Sequence, residues 1–178
     1  MTIKRVLVAL DGSDHATRAR DLACEMASRF GAQLIVLHVT PDKPVSEVER
    51  RMAEVEFQAE VARDFDLTRS ADARDDIRLM SQRLTEQAAE TARRFRVALG
   101  GRLMEDAKAR ARQQVVPSVP TVPRGGDRAA AVLNLAREEN VDIIVMGRRG
   151  LGDLAGLLLG IVSHEVTHLA ECACLTVK

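Results

Sequence analysis

Residues 5–14 read Arg5-Val6-Leu7-Val8-Ala9-Leu10-Asp11-Gly12-Ser13-Asp14. The run to Leu10 is continuously apolar and does not alternate, the pattern of a strand covered on both faces within a parallel sheet. Asp11-Gly12 ends it, and Ser13 or Asp14 can cap the helix that follows. That helix carries Ala16, Leu22, Ala23, Met26 and Phe30 at helical spacing, and Gly31 stands where a left-handed cap is wanted. A second buried run, Gln33 to Thr40, follows at once. The first forty residues therefore read as one βαβ unit. Asp11 falls at the carboxyl end of its first strand, where open α/β sheets place ligand contacts.

The other end of the chain repeats the logic. Val141 to Met146 is a further apolar run delivering Gly147-Arg148-Arg149-Gly150, and after nine more residues comes Gly160-Ile161-Val162-Ser163 at the start of a short helix. Glycines let backbone N–H groups approach an anion, and a helix N-terminus adds unsatisfied donors and a favourable dipole. Alone, this spacing equally describes a glycine-rich turn between strand and helix. Paired with the Asp11 turn, it reads as half of a phosphate cradle.

The combination resembles the universal stress protein family. The resemblance is carried by Val6-Leu7-Val8-Ala9-Leu10-Asp11-Gly12-Ser13, Leu37-His38-Val39, Asp142 through Gly150, Leu157-Leu158-Leu159-Gly160-Ile161-Val162-Ser163 and Cys172-Ala173-Cys174-Leu175-Thr176-Val177. It implies a doubly wound α/β fold of the adenine nucleotide alpha-hydrolase type, with a five-stranded parallel sheet in the order 3-2-1-4-5. It also implies a homodimer and, in nucleotide-binding members, ATP at the strand ends. Carried over residue by residue, the backbone of Ala9, Leu10 and Val39 frames adenine, and Asp11 meets the ribose or a metal-bridged phosphate. Met146 and Gly147 lie along the base and ribose, while Gly150, Gly160, Val162 and Ser163 cradle phosphates, with Arg149 and Arg148 as candidate cations. One position departs from the pattern: Ile161 stands where nucleotide-binding relatives resemble one another in carrying Ser or Thr. A lost hydroxyl donor to a charged acceptor weakens binding by about 1.5–3 kcal/mol.

Composition narrows the classes. The chain has 178 residues, 46% hydrophobic, with 26 basic and 26 acidic side chains that cancel. That suffices for one α/β domain over residues 1–178, and no net field draws it to nucleic acid or anionic lipid. Trp and Tyr are absent and Phe numbers four, which removes the stacking platforms of single-strand binders. The sequence enters a strand directly after Met1-Thr2-Ile3-Lys4-Arg5, and the apolar run Leu154 to Val162 is too short to span a bilayer, so a cytoplasmic location is expected. Cys24, Cys172 and Cys174 read as small buried hydrophobes, not a disulfide framework.

The middle departs from the family pattern. Asp42 to Gln114 far exceeds the ~10–15 residues a crossover helix needs. Val48, Met52, Val55, Ala59 and Ala62 form one helical stripe. After a turn over residues 67–76, Ile77, Met80, Leu84, Ala88, Ala92, Phe95 and Leu99 form a second. Gly100-Gly101 is read as a break, with Leu103 to Gln113 a third helical piece. Residues 42–100 are thus expected to be a helical insertion after strand 2, either a decorated crossover or an arm for a protein partner. Val115 to Val122 reads as strand 3, and its prolines Pro117 and Pro120 suit a sheet edge. Asp127 can cap the next helix.

His164-Glu165-Val166-Thr167-His168 matches H-E-x-x-H, the zinc protease signature. The helix is short and neither Gly nor His follows His168, so the match is read as coincidental and no metal is assigned there. Three functions remain. The leading one is a regulator that binds ATP, ADP or AMP, with Mg²⁺ as a candidate companion, and signals through partners with little or no turnover. The second is a nucleotide-free dimeric adaptor acting through the insert, and the third a metalloenzyme. No catalytic residue is assigned. The apolar tail Cys174-Leu175-Thr176-Val177 is expected to be the edge strand that pairs two copies.

Overall fold

The computed structural model describes residues 2–40, 75–150 and 160–178, with the backbone alone at 75–89 and the side chain of residue 92 left out. Their elements run β1 (Arg5–Leu10), α1 (Asp14–Phe30), β2 (Gln33–Thr40), α2 (Asp75–Gln113), β3 (Thr121–Gly125), α3 (Arg128–Glu138), β4 (Ile143–Gly147), α4 (Ile161–Leu169) and β5 (Ala173–Val177). All five strands are parallel, in the order β3-β2-β1-β4-β5. This is the doubly wound order, with β1 and β4 adjacent at the point where the winding reverses.

The chain forms two compact units, Met1–Asp42 with Leu99–Lys178, and Lys43–Ala98. In the second, the described residues belong to α2, where Glu90 takes the Nε of Arg94 at 3.1 Å, one turn away. The Val48 to Ala62 stripe and the expected turn at 67–76 lie outside the described residues, and for Ile77 to Ala88 the helical backbone is all that is described.

In the first unit the sheet carries apolar layers on both faces. Val6, Val8, Leu34, Val36 and Val145 meet the alanine stripe of α1 (Ala16, Ala19, Ala23, Ala27) together with Ala107 and Ala111 of α2. On the opposite face Leu7, Ile35, Leu37, Ile144 and Met146 meet Val132, Leu135 and Ala136 of α3 and Val166 of α4. The small residues of α1 let its axis come close to the sheet, which matters for the site below. Its ends are capped as the sequence suggests: Ser13 accepts from the Ala16 N–H, and Gly31 is left-handed at φ 62°. Asp127 caps α3 in the same way, accepting from the Ala130 N–H. At the amino ends of the strands, the Asp142 carboxylate accepts from the N–H groups of Lys4 (2.7 Å) and Arg5 (2.9 Å), which holds its pKa below the usual carboxylate value.

Two expectations are corrected. Strand 3 is not Val115 to Val122: β3 opens at Thr121 and includes Pro123, though it is an edge strand as expected. Val115 instead terminates α2 in the left-handed region at φ 57°, with the Val116 N–H returning to the Ala111 carbonyl at 3.1 Å. Ser118 and Pro120 still lend carbonyls to Leu34 and Val36 of β2, a role proline can fill because it needs no N–H. The second correction is that Gly100-Gly101 does not break the helix, since α2 runs through both. Gly100 lies against the ring of His38, and a Cβ there would stand 2.5 Å from the ring Cδ2. Close approach, not helix termination, explains that glycine.

Candidate functional site

At the carboxyl end of β1 the chain turns sharply. The Ser13 N–H donates to Asp11 Oδ1 at 3.0 Å, and Gly12 between them adopts φ 87°, a conformation glycine enters at little cost. The Ser13 hydroxyl caps α1 and also donates to the Arg149 carbonyl at 3.3 Å, tying this turn to the one after β4.

β4 ends where it meets the first turn of α1. A Cβ on Gly147 would lie 2.8 Å from the Ala16 nitrogen and 2.9 Å from the Cβ of His15, and a Cβ on Gly150 would lie 2.5 Å from Asp11 Oδ2. The Asp11 carboxylate is therefore seated on the backbone of Gly150. Between the two turns opens a cleft of about 350 Å³, lined by Gly12 to His15 and Arg18 on one side and by Arg149 and Gly150 on the other.

The third part is the entry to α4. The Arg148 carbonyl accepts from the Gly160 N–H at 2.9 Å and from the Ser163 hydroxyl at 2.7 Å. Ser163 is 4% exposed, and its hydroxyl also lies 3.0 Å from the Gly160 carbonyl. Its proton is thus committed to the protein's own backbone, which leaves main-chain N–H groups as what this turn offers an anion. Gly160 gives α4 no side-chain cap, and Ile161 beside it is 72% exposed. Among the described residues the buried Nε of Arg148 has no hydrogen-bond partner.

The geometry sets Asp11 against Gly150, which with Arg149 lines one side of the cleft, and joins Gly160 and Ser163 to that side through Arg148. Ile161 and Val162 occupy the first turn of α4. Ala9 pairs with Leu37 and Met146 at the centre of the sheet, and Leu10 is its last residue in β1. The side chains of Val39 and Met146 belong to the core layer beneath α3 and α4. Sequence reading missed His15 and Arg18, whose signal was their place in the turn of helix directly after Asp11. It also gave no role to His38, a polar residue inside an otherwise apolar strand.

The cysteines offer no nucleophile. Burial pushes the Cys24 thiol up to about 11, and Cys172 and Cys174 are likewise raised by burial. Cys24 is fully buried, whereas the other two are half-buried at the margin of the core. His164 and His168 stack on the exposed side of α4 with ring centroids 6.4 Å apart. Among the described residues no group of three His, Cys, Asp or Glu side chains is placed to hold a metal.

Comparison with known proteins gives this arrangement its kin. The family model described as the universal stress protein family matches residues 2–178. The chain belongs to the universal stress protein family. It is 33% identical over 175 residues to a universal stress protein of Thermus aquaticus encoded 3′ of a QAH/OAS sulfhydrylase, covering 98% of each chain. It is 29% identical over 174 residues to the universal stress protein YxiE of Bacillus subtilis, again over 98% of each. Among solved structures, a universal stress protein in complex with cAMP superposes with a TM-score of 0.59 at 21% identity, covering 99% of this chain and 98% of that one. At that identity the likeness establishes the fold. Among the described residues no helix is long and apolar enough to cross a membrane.

Proposed function

We propose that this universal stress protein binds an adenine nucleotide at the carboxyl ends of β1 and β4 and acts as a cytoplasmic regulator, changing its affinity for a protein partner with little or no turnover. The observation that carries the reading is the seating of the Asp11 carboxylate on Gly150, with the Ser13 hydroxyl bonded to the Arg149 carbonyl. These contacts join two glycine-bearing turns, far apart in sequence, into one cleft at the switch point of the sheet. The fold-level likeness to a protein in complex with cAMP supports the same ligand class.

In this reading the backbone of Ala9, Leu10 and Val39 frames the base, with Met146 and Gly147 alongside it. Asp11 contacts ribose or a Mg²⁺ ion, and Arg149, Gly150, Gly160 and the N–H groups of Ile161 to Ser163 receive the phosphates. One carboxylate is a sparse Mg²⁺ site, so phosphate oxygens and water would complete it. Among the described residues no pair offers a positioned base with a nucleophile, which is why turnover is not assigned. The protein acts as a homodimer joined through Cys174–Val177, with the insert at residues 42–100 available to a partner.

A nucleotide-free adaptor is the second reading. It is favoured by Ile161 and by the committed Ser163 hydroxyl, which together leave no side-chain hydroxyl at the α4 entry. Titration calorimetry with ATP, ADP and AMP, each with Mg²⁺, separates the two. The nucleotide reading expects saturable heat with the native protein and none with Asp11→Ala; no heat at millimolar nucleotide overturns it in favour of the adaptor.

A further inference from the structure

His38 is 8% exposed at the carboxyl end of β2, where it pairs in register with Leu10. Its ring Nδ1 lies 2.9 Å from the Leu10 carbonyl oxygen. A carbonyl only accepts, so Nδ1 carries the hydrogen and donates. The β1–β4 ladder ends at Ala9↔Met146, one residue short of Leu10, so this bond grips β1 just where pairing with β4 stops and the Asp11 turn begins. The ring has little freedom to leave. The Cδ2 and Nε2 edge rests under Gly100 of α2, where a Cβ would stand 2.5 and 2.9 Å from those atoms.

We infer that His38 is a positioning residue: its Nδ1–H fixes the Leu10 carbonyl, and through it the Asp11-Gly12-Ser13 turn that carries the Asp11 carboxylate and the Ser13 cap. It meets no ligand itself. A peptide plane held at Leu10 sets the starting direction of the left-handed turn at Gly12, and that turn aims the Ser13 N–H at Asp11 and the Ser13 hydroxyl at Arg149. The alternative role for a buried histidine, filling space, is met by any side chain of similar size. The two roles differ in whether the donor matters.

The consequence for nucleotide affinity rests on the site proposed above, while the ordering of the turn does not. Amide hydrogen exchange at Gly12 and Ser13, measured without nucleotide, reads the turn directly. In His38→Leu, exchange at both amides is expected to quicken about three- to tenfold while the core strands stay protected. In His38→Asn, whose side-chain N–H replaces that of Nδ1, it is expected to stay within about threefold of the native rate. ATP affinity by calorimetry follows the same order. Native exchange in His38→Leu, or equally fast exchange in both variants, overturns the inference. Should His38→Leu fail to fold, Gly100→Ala, which crowds the ring and keeps the imidazole, is read in its place. If the native protein binds no nucleotide, the nucleotide reading falls and the exchange comparison still decides the role of His38.

Discussion

Gly100 and Gly101 are neighbours in one helix, and the same substitution at each is predicted to act in opposite directions. Replacing a helical glycine by alanine contributes about 0.5–1 kcal/mol by restricting the unfolded chain and covering backbone. At Gly101 nothing among the described residues lies within 4 Å of the new methyl group, so Gly101→Ala is expected to keep that whole gain. At Gly100 the methyl carbon would stand 2.5 Å from Cδ2 of His38. The ring is buried between β2 and α2 and held by Leu10, so it cannot swing into solvent as a long side chain would. Overpacking of this kind costs about 1–3 kcal/mol. Disturbing the Nδ1 bond adds about 0.5–1.5 kcal/mol. Set against the propensity gain, Gly100→Ala is expected to lose about 0.5–4 kcal/mol, so the two variants should differ by about 1.5–4.5 kcal/mol. Urea unfolding followed by circular dichroism measures both, and melting midpoints should separate by several degrees. A Gly100→Ala protein as stable as Gly101→Ala would refute the reasoning, because His38 and α2 would then not be in close contact.

Ile161→Ser restores a hydroxyl at the exposed first position of α4, and ATP is expected to bind about tenfold tighter by calorimetry; unchanged affinity would place the phosphates elsewhere. Asp142→Asn is expected to cost about 1 kcal/mol at neutral pH, a figure reduced for solvent exposure. Because the folded-state pKa of Asp142 is lowered, its contribution is present above the ordinary carboxylate value and is lost as pH falls through the folded value. The gap between native and variant should therefore close below about pH 4 in urea titrations, and a gap that persists there would rule out the carboxylate as its source. Light scattering is expected to report twice the chain mass for the intact protein, and truncation after Glu171 to give monomer or aggregate, since β5 is an edge strand; a clean full-length monomer at micromolar concentration would overturn pairing through the tail.

What the sequence by itself determined is everything that local physics writes within a few residues. Continuous apolar runs marked β1, β2 and β4 as strands covered on both faces. Ser13, Gly31 and Asp127 announced helix ends because a cap needs only its own turn, and Asp11, Gly147 and Gly160 could be placed at strand or helix termini for the same reason. The sheet order came from the family resemblance that these motifs carried. Tertiary structure alone decided what depends on residues distant in the chain. Gly100 reads as a helix breaker until β2 supplies the ring that requires it, and Val115 to Pro120 reads as strand until α2 is seen to end at Gln113 with Val115 left-handed just beyond it. Ser163, which the family resemblance places in the phosphate cradle, has its hydroxyl taken by the Arg148 carbonyl 15 positions away, and the Ser13–Arg149 bond that closes the cleft spans 136 positions. No periodicity records such contacts, because they form when separate segments arrive at one end of the sheet, and it is there that the candidate site is assembled.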